Sequence, residues 1–150
     1  MAMHTWFECK IRYEKVMENG MQKKVTEPYL VDALSFTEAE ARIIEEMTPF
    51  ISGEFTVSDI KRANYSELFP SDEESADRWF KCKLIFITLD EKSGAEKKTS
   101  TQVLVQAADL RDAVKKLDEG MKGTMADYQI GMVSETPLMD VYPYSSEPND

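Results

Sequence analysis

Trp6-Phe7-Glu8-Cys9-Lys10-Ile11 (WFECKI) and Trp79-Phe80-Lys81-Cys82-Lys83-Leu84 (WFKCKL) are two versions of one hexapeptide, set 73 residues apart in a chain of 150. A long period of this kind decides the fold, because a duplicated unit repeats its structure with its sequence. At the same offset Tyr13 falls on Phe86. One residue of slack in the next loop makes the offset 74, and Gly20 then falls on Gly94, Lys23-Lys24 on Lys97-Lys98 and Leu30-Val31 on Leu104-Val105. Ala33, Ala39, Ile43 and Met47 fall on Ala107, Ala113, Leu117 and Met121. Near Gly53 the offset returns to 73, so that Phe55, Ile60, Leu68, Phe69 and Pro70 meet Tyr128, Val133, Val141, Tyr142 and Pro143.

Each copy reads as β-β-α-β-β. Phe7, Cys9, Ile11 and Tyr13 alternate with Trp6, Glu8, Lys10 and Arg12, the period of a strand with one apolar face. The second copy repeats this with Phe80, Cys82, Leu84 and Phe86. Its other face turns apolar at Ile85 and Ile87, which predicts a more enclosed strand. Asn19-Gly20 and Ser93-Gly94 are hairpin turns, and a second strand follows over 23–33 and 97–107. Pro28 lies inside it and predicts an edge or a bulge, since proline has no ladder N–H.

Ser35-Phe36-Thr37-Glu38 is a capping box opening a helix, and Asp109-Leu110-Arg111-Asp112 is its counterpart. Phe36, Ala39, Ile43 and Met47 share one helix face, as do Leu110, Ala113, Leu117 and Met121. Glu40, Glu45, Glu46, Lys115, Lys116 and Glu119 are expected to face water. Strands over 55–62 and 65–69, and over 128–135 and 138–142, complete the copies.

The fold class is therefore α+β, an internal duplication of a β-β-α-β-β unit with antiparallel sheets, one helix each and a pseudo-twofold. The first repeat spans 1–70, an acidic linker 71–77 and the second repeat 78–143, the two forming one compact domain. Residues 144–150 read as a flexible tail.

A net charge of −10 at a pI of about 4.7 argues against duplex DNA, membranes or other polyanions as bulk partners. The start, MAMHTWFEC, lacks a basic segment followed by an apolar run, and no stretch approaches a membrane span. The localisation expected is cytoplasmic. With two cysteines and one histidine, neither a disulfide framework nor a zinc set is expected. Cys9 and Cys82 lie on apolar strand faces and read as core. A catalytic pair of either with His4 is not expected.

Trp6 and Trp79 lie on the polar strand faces. Beside them are Lys10 and Arg12, or Lys81 and Lys83, with Lys23, Lys24, Lys97 and Lys98 on the paired strands. Aromatics interleaved with cations suit single-stranded nucleic acid, whose bases stack while its phosphates meet the ammoniums. The competing reading seals each indole inside and leaves the lysines solvated. Asp72, Glu73, Glu74 and Asp77 lack the spacing of a calcium loop and read as a solvated linker. Glu38, Glu40, Glu45 and Glu46 read as a charged helix face. Met17, Met21, Met47, Met121, Met125, Met132 and Met139 are core fillers by default, although methionine also softens binding surfaces. No phosphate-cradling glycine loop or serine elbow is present.

WFECKI, the KKVTEPYLVDA strand and the SFTEAEARI helix start resemble an uncharacterised domain family of unknown function, carried by Bacteroidetes and some of their phages and mobile elements. The resemblance covers most of the chain, and VTEPYLVDALSFTEAEARI is its most specific part. It implies a bacterial or phage cytoplasm and supplies no catalytic residues. The expected role is a non-enzymatic binding or adaptor module with a protein partner or a homo-oligomer, with no cofactor, metal or membrane. The alternatives are a single-stranded nucleic-acid binder acting through the Trp/Lys faces, and a nucleotide or signal-molecule binder in a cleft between the repeats.

Overall fold

The computed structural model describes residues 5–124 and 127–143. In chain order the elements are β1 (Trp6–Val16), β2 (Gln22–Asp32), α1 (Phe36–Met47), β3 (Phe55–Ala63), β4 (Glu67–Phe69), β5 (Arg78–Leu89), β6 (Glu96–Ala107), α2 (Leu110–Gly120), β7 (Tyr128–Glu135) and β8 (Asp140–Tyr142). The α+β duplication read from the sequence is present, as two helices and two four-stranded sheets. The proposed tail, His4 and Met125 lie outside the described residues. No helix among those described is long and apolar enough to cross a membrane.

The register reproduces the alignment of the copies. Ile11 faces Glu27 in the β1–β2 hairpin, and Leu84 faces Thr101 in the β5–β6 hairpin. Gly20 and Gly94 take φ of 81° and 72° in the two turns, the left-handed region that glycine enters without a Cβ penalty. The third strand of each copy carries one extra residue, Ser58 between the partners of Lys10 and Ile11, and Gly131 between those of Lys83 and Leu84. Both capping boxes form. Ser35 Oγ accepts from Glu38 N and Glu38 Oε1 from Leu34 N, while Asp109 Oδ1 accepts from Asp112 N and Asp112 Oδ2 from Ala108 N.

The last strand of each copy departs from the expected pattern. One sheet has the order β3-β1-β2-β8 and the other β4-β6-β5-β7. β8 pairs with β2 in parallel through Tyr29↔Asp140, Leu30↔Val141 and Val31↔Tyr142. β4 pairs with β6 in parallel through Glu67↔Val103, Leu68↔Leu104 and Phe69↔Val105. Each sheet is thus mixed, and each takes its fourth strand from the other repeat. Chain length explains why the first repeat does not keep its own last strand. The link from Ala63 to Glu67 reaches at most about 14 Å. The free slot beside β2 lies about 17 Å from the end of β3, three strand spacings across and three residues back. A repeat with so short a link cannot fill its own slot.

The edge or bulge expected at Pro28 is not found, because β2 lies between β1 and β8 and pairs with β1 without a bulge. The Pro28 carbonyl accepts from Met139 N at 2.9 Å, on the side away from β1. N and O of one strand residue point the same way, so the missing N–H costs the β1–β2 ladder nothing.

The chain divides into two compact units, residues 1–64 with 137–150, and residues 65–136. In unit 1, α1 covers Phe7, Cys9, Ile11, Val31 and Ala33 with Ala39, Ile43 and Met47. In unit 2, α2 covers Phe80, Cys82, Leu84, Val103, Val105 and Ala107 with Ala113 and Leu117. Phe36 and Leu110 are corrections to the helix faces, being 47% and 51% exposed at the first turn. Phe36 still meets Phe7 edge-on, with ring centroids 4.9 Å apart. Ile85 and Ile87 are half-buried where Arg12 and Glu14 are exposed, so β5 is the more enclosed strand.

Candidate functional site

The residues singled out for nucleic acid do not compose one surface. Trp6 and Trp79 are 3% and 5% exposed, so neither indole offers a face on which a base could stack. Lys10, Lys81 and Lys83 are half-buried, while Arg12, Lys23, Lys24, Lys97 and Lys98 are exposed. Lys24 stands opposite Glu14, eight residues along the strand from Trp6, or about 26 Å at the strand rise. Lys23 stands opposite Lys15 and so points to the other sheet face. Lys97 and Lys98, opposite Thr88 and Ile87, divide between faces in the same way.

The cysteines are core residues. Both are fully enclosed and free. Burial, with Glu8 and Asp59 nearby, pushes the Cys9 thiol up to about 12, and burial alone pushes Cys82 to about 11. Neither is a thiolate nucleophile at neutral pH. Among the described residues no group of three His, Cys, Asp or Glu side chains is placed to hold a metal ion.

The acidic joint is tied down rather than solvated throughout. Glu73 Oε1 accepts from Lys116 Nζ at 2.8 Å, Ser71 N donates to Gln106 Oε1 at 2.9 Å, and Ala76 is buried. Lys116, expected in water, is 14% exposed and also meets Asp112 at 3.0 Å. Burial lowers its basicity, but Glu73 and Asp112 outweigh that and hold the ammonium above its ordinary value. Its counterpart Arg42 donates to Asp32 O and Pro143 O. Each helix thus fastens the segment that follows an exchanged strand. Of the methionines, Met47 and Met121 fill core, whereas Met17, Met21, Met132 and Met139 are exposed.

Unit 1 contains a feature that no motif announced. On the helix side of its sheet, beyond the end of α1, Tyr13, Tyr29 and Tyr142 line a cavity of about 240 Å³. Met47, Phe50 and Ile51 form the wall that follows the helix, and Met139 and Asp140 come in with β8. Strand pairing sets the geometry. Tyr13 and Tyr29 point to the helix side from β1 and β2, and the exchanged strand brings Asp140 beside Tyr29 and Tyr142 beside Val31. The Tyr29 and Tyr142 rings stack at 6.2 Å with 22° between planes.

Next to the cavity lies Glu27, 9% exposed. It occupies a sheet position where an apolar residue would ordinarily sit, opposite Ile11. Its Oε1 accepts from Tyr13 Oη at 2.9 Å and from Tyr29 Oη at 3.3 Å, and its Oε2 meets Lys15 Nζ at 3.4 Å. A buried carboxylate needs such partners to offset its lost hydration. Burial first and Glu27 second push the Tyr13 hydroxyl up to about 12 and raise Tyr29 further. Tyr142 is pushed to about 12 by burial, Asp140 and Glu46. All three hydroxyls keep their protons at neutral pH, and the charges acting on them are negative. Glu46, expected in water, is half-buried beside Tyr142.

The duplication supplies an internal comparison. Tyr13, Glu27, Tyr29 and Tyr142 correspond to Phe86, Thr101, Val103 and Phe69. Glu46 corresponds to Gly120, where an added Cβ would lie 2.8 Å from the Phe69 ring. In unit 2 the ring therefore sits against the helix backbone. In unit 1 a side chain stands in that place. The same sheet is built twice, once with two phenylalanines, a valine and a threonine and once with three tyrosines and a glutamate.

Family-model comparison matches residues 5–144 to the family described as Domain of unknown function (DUF4494). The chain belongs to this family. No curated protein and no solved structure matches it. The family description assigns no activity, so the chemistry of the site rests on its own residues. Reading the sequence for motifs passed over Tyr13, Glu27, Tyr29, Asp140 and Tyr142. For Tyr13, Tyr29 and Tyr142 the signal was available in the aligned copies, where Phe86, Val103 and Phe69 are apolar, whereas Glu27 and Asp140 align with Thr101 and Glu67, which are polar too.

Proposed function

We propose that the chain is a non-catalytic binding module whose ligand site is the tyrosine-lined cavity of unit 1, working in a bacterial or phage cytoplasm. One observation carries the reading. On the helix side of the sheet the two copies differ in polar character at one connected place, and a cavity lies there. The fold does not require the cluster, since unit 2 forms the same sheet with Phe86, Val103 and Phe69. A concave, largely apolar site with a few convergent polar groups is the usual form of a small-ligand pocket.

The chemistry favours binding over catalysis. The tyrosine hydroxyls are held protonated and both thiols are held as thiols, so none of these groups is an activated nucleophile. Buried, unpaired thiols also suit a reducing compartment. A fragment screen read by amide chemical shifts tests the proposal. Fragments that bind should shift residues 13, 29, 47–51 and 139–142 together. If the hits instead collect on the lysine-bearing strand faces, or none reaches the cavity, the reading fails.

A further inference from the structure

We propose that the unit 1 cavity takes a small organic cation, an ammonium carried on a compact apolar body and free in solution. The assignment rests on the reading of the cavity as the ligand site and adds the class of ligand.

Four observations converge on it. The first is the lining. Tyr13, Tyr29 and Tyr142 line the space, and a tyrosine ring carries a quadrupole whose negative face attracts a cation. The second is charge. Asp140 lies on the wall, Glu46 acts on Tyr142, and Glu27 lies next to the cavity under two tyrosine hydroxyls. The nearby cation, Lys15, is already held by the second oxygen of Glu27. A phosphate or carboxylate entering here meets acidic groups, whereas an ammonium meets the Asp140 carboxylate and tyrosine rings, with Glu46 and Glu27 beside them. The third is hydrogen bonding. Tyr13 and Tyr29 direct their hydroxyl protons to Glu27, which leaves their oxygen lone pairs as acceptors for an N–H donor. The fourth is size. A cavity of about 240 Å³ lies below the range usual for drug-sized ligands, so the body attached to the cation is small. Asp140 also ties recognition to the strand exchange, since this exposed carboxylate on the wall arrives on β8 from the second repeat.

The test is a chemical-shift titration of the full chain with four probes of similar shape and different charge: benzylamine, benzyltrimethylammonium, benzyl alcohol and benzoate. Both cations should shift the cavity residues saturably and bind at least tenfold tighter than the alcohol, with benzoate weakest. Asp140→Asn keeps the oxygen that accepts from Val141 N and so preserves the fold. It should weaken the cations about fivefold and leave the alcohol unchanged. If the alcohol binds in the cavity as tightly as benzylamine, or Asp140→Asn has no effect on the cations, the cation assignment is overturned while the cavity remains the site. If none of the four probes reaches the cavity, the assignment and the reading beneath it both fall. A fifth probe, Nα-acetyl-lysine amide, separates the sources of an ammonium. Binding weaker than benzylamine supports a free small molecule, and tighter binding overturns it in favour of a protein side chain.

Discussion

Val141→Asp tests the strand exchange. Val141 is 8% exposed on β8 and stands beside Leu30, which is fully buried on β2. Losing the burial of a valine side chain costs roughly 1.5–2 kcal/mol. Forcing a carboxylate into the same space adds about 1–3 kcal/mol of desolvation. The sum, about 3–5 kcal/mol, is a large fraction of the roughly 5–15 kcal/mol that holds a domain folded. The damage should fall on unit 1, although residue 141 belongs by sequence to the second repeat. Native-state amide exchange read by mass spectrometry gives protection element by element. Peptides from β1 and β2 should lose protection by about two orders of magnitude or more, and those from β5 and β6 far less. Leu68→Asp on β4 should produce the mirror image. If Val141→Asp instead exposes β5 and β6 while β1 and β2 stay protected, each last strand pairs within its own repeat and the exchange is wrong.

Alkaline stability follows from the buried acids. Tyr13 and Tyr142 rise from 10.0 to about 12, Cys9 from 9.0 to about 12 and Cys82 from 9.0 to about 11. Between those limits the unfolded chain releases protons that the folded chain keeps, so stability falls as pH rises. The guanidinium midpoint should hold steady below pH 9 and decline from there towards pH 12; a flat midpoint over that window would contradict the burial of these groups. A thiol reagent at pH 8 should label neither cysteine in the native protein and both in denaturant, and fast native labelling of Cys9 would show its strand face open. Gly120→Ala should lower the melting temperature, because the new Cβ meets the Phe69 ring at 2.8 Å. Overpacking costs typically about 1–3 kcal/mol, more than the helix propensity that alanine gains near a C-terminus. A rise in melting temperature would mean that the ring moves aside freely.

The repeat, its element types and both capping boxes were legible because each is a local pattern. A period of two or 3.6 and a Ser or Asp three residues before an acidic partner can be read from neighbours alone. The hexapeptide then fixed the offset, and the observed registers Ile11↔Glu27 and Leu84↔Thr101 agree with it. Strand exchange was illegible to pattern reading, since β4 and β8 are three residues long and carry no mark of which sheet receives them. Link length held the clue. The candidate site failed for a related reason. Trp6 and Trp79 drew attention because the hexapeptide conserves them between copies, yet what both copies share serves the fold. Tyr13 and Tyr142 had been matched to Phe86 and Phe69 as equivalents, and their hydroxyls were passed over. Their meaning appears once Glu27 is seen to accept from two tyrosines and β8 is seen to deliver Tyr142 and Asp140 to the same wall.

Converting the unit 1 cluster into its unit 2 counterpart separates a ligand site from a structural element. The variant carries Tyr13→Phe, Glu27→Thr, Tyr29→Val and Tyr142→Phe, each a residue that the same fold already holds at the matching place. Replacing a buried carboxylate and its partners together with smaller or apolar groups is often neutral or stabilising. The melting temperature should therefore stay level or rise, while the cavity-localised shifts induced by benzylamine disappear. A fall of more than about 5 °C, equivalent to roughly 1.3–2.5 kcal/mol or more for a chain of this size, would make the cluster a structural element and overturn the reading of it as a ligand site.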